Sequence, residues 1–185
     1  MAFPELSYTT DPLRETKADA LVLALPPLDH DAGALDQWPG LAPALNAVGF
    51  SGALGATVRA YAPEATSLPL IVVGTGPAPD TAALREAVGA ALRTTTGFDT
   101  VAVEAPAVDE DGWRAVAEGA ALGAYRFDGY KSVAAAARAS HVVIRGERPP
   151  AASALARAQA VGAAAALVKD LVHTPAEWLG PQDVA

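Results

Sequence analysis

The chain contains no cysteine. That absence excludes a disulfide framework, thiolate-ligated zinc and a cysteine nucleophile together. Lysine is scarce too, present only at Lys17, Lys131 and Lys169, and the arginines are scattered through a chain of net charge -8. A general phosphate-backbone binder needs clustered cations, so nucleic-acid binding is disfavoured. Long apolar runs are missing as well: the longest uncharged stretches are broken by proline or glycine before they reach membrane-spanning length. Met1 to Thr10 lacks the basic stretch and following apolar run of a signal peptide. These absences lead to the expectation of a cytoplasmic protein with no membrane span.

What is present reads as globular. Hydrophobic residues make up 51% of the chain and charged ones 18%, a balance that supports a packed core and not disorder. The apolar mass is mostly alanine, valine and leucine, with few aromatics, which favours helices packed closely on a sheet. At 185 residues the chain fits one domain, or one domain with an appended segment.

Apolar runs predict strands and helical spacing predicts helices. Ala20–Leu25, closed by Pro26 and Pro27, and Leu68–Val73, closed by Gly74, read as buried strands. Leu6–Thr9 reads as an edge strand; Thr57–Tyr61, Thr100–Val103 and His141–Ile144 complete the set. Residues 28–40 read as a loop and Leu41–Val48 as a short helix. Asp80 is placed as the N-cap of a helix over 81–93. Asp109, Glu110 and Asp111 open a second helix, where acids suit the positive end of the helix dipole. A long helix runs from Ala151 to Val172. Strand–helix alternation argues an α/β sandwich with a parallel or mixed sheet.

That last helix carries no charge between Arg157 and Lys169. A helix apolar nearly all round is usually buried, so the sequence predicts that a second domain or another subunit covers it. A plain alanine-rich solvent-facing helix is the competing explanation.

Few residues promise chemistry. Gly74-Thr75-Gly76 lies between a strand and a helix, where anion loops sit, but it lacks the full glycine spacing and a P-loop lysine. Pro77 and Pro79 remove two further amide donors. The turn is therefore read mainly as structural and secondarily as an anion or ligand loop. His30, His141 and His173 lack metal-motif spacing, and no paired carboxylates or nucleophile elbow appear.

Two segments resemble the leucyl (cytosol) aminopeptidase family. Ala117 to Ser132 contains Tyr125-Arg-Phe127-Asp-Gly-Tyr130-Lys131, similar to the family's Tyr-x-Phe-x-x-Tyr-Lys signature. Val168 to Pro181 contains Asp170-Leu-Val-His173-Thr174-Pro175, similar to its Asp-Leu-Val-Asn-Thr-Pro passage, with histidine replacing the usual asparagine. The resemblance implies a macro-domain-like three-layer sandwich with a mixed sheet, followed by a long C-terminal linker helix. It implies domains at 1–150 (macro-like) and 151–185 (linker helix and start of a catalytic domain that this sequence does not contain). It further implies a parent enzyme that removes N-terminal residues from peptides. Two divalent ions, zinc or manganese, would lie in that catalytic domain, and the subunits would form a homo-oligomer, a hexamer in the family. No catalytic or metal residue carries over to this chain, and the signature residues Tyr125, Phe127, Tyr130, Lys131, Asp170, Thr174 and Pro175 are expected to be structural. Two other readings are weighed against this one. The first is a macro-like module taking a nucleotide or ADP-ribose near Gly74–Gly76; the second is a DNA-binding regulatory domain, which the charge disfavours.

Overall fold

The computed structural model describes residues 3–30, 33–106, 109–127, 129 and 136–180. Six strands form one sheet: β1 (Glu5–Thr9), β2 (Ala20–Leu25), β3 (Thr57–Ala60), β4 (Leu70–Gly74), β5 (Thr100–Glu104) and β6 (His141–Arg145). Their spatial order is β1-β6-β5-β2-β4-β3, all parallel except the β3 edge, which runs antiparallel to β4. The helices are α1 (Leu41–Ala47), α2 (Thr81–Thr94), α3 (Glu110–Ala124) and α4 (Ala152–His173). This is the expected mixed-sheet α/β sandwich with a long C-terminal helix.

Position in the sheet explains the strand sequences. β2 and β4 lie inside it with both faces covered, and all their residues are buried, which requires continuous apolar runs. Burying Leu21, Leu23 and Leu25 stabilises the fold by roughly 1.5–3 kcal/mol each. β4 starts at Leu70 and not at Leu68, because Pro69 has no N–H for the ladder; its carbonyl accepts from Leu21 N at 2.9 Å. The stretch read as loop at 28–40 contains two short 3-10 turns, Leu28–His30 and Ala34–Gln37.

Two cores flank the sheet. One lies under α2, α3 and α4 and includes Val22, Val73, Val88, Val101, Val103, Val116 and Ile144. The other lies under α1 and the loops and includes Leu13, Leu21, Leu25, Trp38, Leu41 and Leu45. Two of the three helices over the first core, α2 and α3, start on side-chain caps. Asp80 Oδ1 accepts from Ala83 N at 2.8 Å, and Asp109 Oδ1 accepts from Gly112 N at 2.7 Å.

Glycine sets how closely these helices approach. A Cβ on Gly123 would sit 2.5 Å from the Gly89 carbonyl oxygen, and one on Gly119 would sit 2.5 Å from that of Arg85. The α2 and α3 backbones are therefore in direct contact, and Arg85 Nη2 reaches Glu118 Oε2 at 2.7 Å beside the crossing. α4 lies on α3 and β1 through a stripe of small residues, Ala154, Ala158, Gly162 and Ala166. The helix thus buries one narrow side within its own domain.

Candidate functional site

The turn after β4 has a definite geometry. Gly74 N donates to the Ala56 carbonyl at 2.8 Å, Thr75 N to that of Leu25 at 2.9 Å, and Gly76 N to that of Gly52 at 2.9 Å. All three amides of the turn are thus engaged with the protein's own carbonyls. The loop carrying Gly52 and Ala53 lies so close that a Cβ on Gly74 would stand 2.1 Å from the Ala53 carbonyl oxygen. An anion at this turn would first have to displace those bonds.

The two signature segments meet. Tyr125 leaves the end of α3 buried, and its Oη donates to Asp170 Oδ1 on α4 at 2.7 Å. Lys169 Nζ lies 4.7 Å from the centre of the same ring, within cation–π range. Phe127 stacks on His173 with ring centres 5.2 Å apart. His173 Nδ1 is 2.6 Å from the Lys169 carbonyl, and Thr174 Oγ1 donates to the Asp170 carbonyl at 2.8 Å, closing the last turn of α4. Pro175 follows, half-buried, before a 3-10 turn over Ala176–Trp178. Tyr130 and Lys131 lie outside the described residues. The pKa of Tyr125 is pushed up to about 12, first by burial, then by the hydrogen bond and the charge of Asp170.

Arg138 is a residue that sequence reasoning missed. Its Nη1 donates to the carbonyls of Gly123 at 2.6 Å and Tyr125 at 2.9 Å, satisfying acceptors at the α3 C-terminus. An arginine fourteen residues beyond the helix, in an alanine-rich stretch, gives no local signal. The partly buried pair of Glu104 Oε1 and Arg145 Nη1, 2.9 Å apart, was equally silent. Strand pairing brings these two together across 41 residues. Glu104 has its pKa raised, because burial outweighs the opposing attraction of Arg145.

Away from its buried stripe, α4 is bare. Val161 is 39% exposed, Leu167 61%, Val168 59% and Val172 77%, and Trp178 just beyond it 59%. Among the described residues no group of three or more histidines, aspartates or glutamates is placed to hold a metal ion. His30 Nε2 lies 3.9 Å from Asp29 Oδ2. His141 lies 3.3 Å from Glu5 and 3.9 Å from Asp99 at an exposed sheet end. Among the described residues no helix is long and apolar enough to cross a membrane.

Fold and signature contacts together define an α/β domain with a mixed six-stranded sheet and a long helix, Ala152–His173, tied to it through Tyr125 and Asp170. Residues 28–134 match the model of the cytosol aminopeptidase family, N-terminal domain, and the chain belongs to that family. A probable cytosol aminopeptidase of Leifsonia xyli subsp. xyli is 38% identical over 194 aligned positions, covering all of this chain and 38% of the relative. One from Clavibacter michiganensis subsp. michiganensis is 36% identical, covering 95% of this chain and 37% of its own length. The chain thus spans about two fifths of the length of these relatives. Among solved structures, a tomato leucine aminopeptidase mutant superposes with a TM-score of 0.78 at 18% identity, covering 98% of this chain and 40% of that one. The bottromycin maturation enzyme BotP in complex with Mn gives 0.69 at 27% identity, covering 90% and 34%.

Proposed function

We propose that this chain is the non-catalytic N-terminal domain of a metal-dependent leucyl aminopeptidase, with a role in assembly or substrate access. The observation that carries this reading is the bare apolar face of α4. A continuous side holding Leu167, Val168 and Val172 has no charge to keep it in water, and such faces mark interaction surfaces. The Tyr125–Asp170 contact fixes α4 to the domain just where that face begins to run free. We take residues 1–150 as the domain body and 151–185 as the linker toward a catalytic domain. Peptides would be the substrate of the parent enzyme, the cytoplasm its compartment, and sister subunits in a hexamer its partners.

The metal ions, zinc or manganese, belong in this reading to the catalytic domain. This chain's described residues supply no ligand set for them, so no metal chemistry is assigned to its side chains.

Two measurements test the proposal. The purified chain should not hydrolyse leucine p-nitroanilide in manganese buffer; turnover that survives repurification would overturn the non-catalytic reading. Mixed with the catalytic domain of the Leifsonia xyli relative, the chain should elute with it as one assembly. Leu167→Asp with Val168→Asp should abolish that co-elution, and unchanged co-elution would remove α4 as the contact.

A further inference from the structure

β1 is one of the two edges of the sheet. Glu5 N donates to the Ser140 carbonyl at 2.8 Å, and the Thr9 carbonyl accepts from Gly146 N at 3.0 Å. Backbone groups alternate sides along a strand, so Glu5, Ser7 and Thr9 face β6, in the register Glu5–His141 to Thr9–Arg145. The N–H and C=O groups of Leu6 and Tyr8 point the other way, and no strand of the described residues lies beyond them. Such an edge is a template for another strand unless charge, proline or a bulge blunts it. The opposite edge, β3, carries the exposed Arg59. β1 presents Leu6 and Tyr8.

The space beyond β1 is already roofed. On the face where Leu6 enters the core, a 460 Å³ hollow runs between the free edge and an uncharged side of α4. Its walls include Leu6, Tyr8, Leu155, Ala156 and Gln159. Tyr8 is 42% exposed at this edge. A further strand placed here would be covered by α4 as β1 is.

We infer that this edge pairs with β1 of a second copy of the chain, antiparallel about a two-fold axis through Ser7. The surface is self-complementary, as an isologous contact requires. In this register Leu6 of each copy faces Tyr8 of the other as a hydrogen-bonded pair, and every free N–H and C=O of both residues finds a partner. Glu5 falls opposite Thr9, so no like charges meet. The neighbouring register on one side sets Pro4, which has no N–H, opposite Tyr8. The one on the other side sets Glu5 opposite Asp11, two acids on facing strands. The two-fold also brings the uncharged sides of both α4 helices onto one face of the joined sheet, an apolar contact that a lone extended peptide lacks. This deepens the assembly role proposed above and rests on it. The two fail separately, because co-elution with a catalytic domain reads Leu167 and Val168 and not β1.

The native chain has no cysteine, so single cysteines at exposed positions report the register. Two Ser7 residues on the axis form a non-hydrogen-bonded pair with Cα atoms about 4.5 Å apart, inside the disulfide range of roughly 4.4–6.8 Å. Glu5 and its own copy lie about 13 Å apart at ~3.4 Å per residue, out of reach, as do Thr9 and its copy. Under mild oxidation Ser7→Cys should form a disulfide-linked dimer at least about tenfold faster than Glu5→Cys or Thr9→Cys, because only its thiols are held together. A mixture of the latter two should cross-link to a heterodimer. Light scattering should give the unmodified chain twice its mass of 18.7 kDa. Tyr8→Pro removes an amide that faces away from β6, which an edge strand tolerates, and should return the chain to the single mass. Cross-linking of Ser7→Cys no faster than that of Glu5→Cys would overturn the pairing. So would a monomer at about 1 mM chain, weaker than a millimolar Kd, or a dimer mass unchanged by Tyr8→Pro. A monomeric chain whose Ser7→Cys thiol is shielded only by an added apolar peptide, or by the catalytic domain of the Leifsonia xyli relative, would assign the edge to that occupant and overturn it too.

Discussion

Tyr125 at the end of α3 donates its hydroxyl proton to Asp170 near the end of α4, over 2.7 Å. Forty-five residues separate them, and each belongs to a different one of the two segments that carry the family resemblance. The pair ties the body of the domain to the helix that leads away from it.

Replacing Tyr125 with phenylalanine should lower the unfolding free energy by about 1.5–3 kcal/mol, the range for a hydrogen bond to a charged group. The tyrosine's pKa is raised in the fold, to about 12, against an ordinary value of ~10. Its contribution is therefore complete below pH ~10 and lost as pH rises through 12. The wild-type chain should lose stability relative to Tyr125→Phe across that window, measured by urea unfolding. Tyrosinate absorbance should show one late-titrating ring that the variant lacks.

Gly123→Ala should destabilise strongly, because its Cβ would sit 2.5 Å from the Gly89 carbonyl oxygen and 2.8 Å from Gly89 Cα. Neither is a movable side-chain end, so α2 and α3 must separate, at a cost of roughly 1–3 kcal/mol. Thermal unfolding would report it as a clear drop in Tm. An unchanged Tm would mean that the two helices do not cross as closely as described.

Glu104 gives a pH dependence of defined sign. Burial raises its pKa despite Arg145, so the folded state holds the proton more tightly than the unfolded one. The stability linked to that proton is present below the ordinary carboxylate range and lost as pH rises through the raised value. Glu104→Gln should flatten this loss. Unfolding curves of both proteins between about pH 4 and 7, spanning the usual carboxylate pKa of ~4.3, would show converging stabilities at the acid end. Parallel curves would refute the assignment.

Leu167→Asp separates the two roles of α4. Leu167 is 61% exposed and touches little of the isolated domain, so its stability should change by no more than about 0.5 kcal/mol, as for surface sites generally. A large loss measured on the isolated chain would place Leu167 in this domain's own core. A near-zero change there combined with failed assembly would mark it as contact surface.

Much of the fold was legible because the strands and helices carry their reasons locally. The apolar run Ala20–Leu25, bounded by Pro26 and Pro27, reads as a buried strand, and Asp80 and Asp109 announced their helices three residues ahead of the amides they cap. The bare face of α4 was legible in the missing charge between Arg157 and Lys169. Its buried stripe was not, because alanine and glycine look alike whether they face a neighbour or water.

The sequence by itself determined the element order, the layered class, the family and the absence of thiol chemistry. Those follow from residue type and spacing along the chain. Only the tertiary structure decided that the two signature segments touch through Tyr125 and Asp170, that the Gly74–Gly76 amides are occupied, and that the Trp113 indole N–H finds no acceptor among the described residues. Each of these depends on which groups meet across long sequence separations. Hydrogen-bond satisfaction is a property of the meeting, and no residue carries it alone.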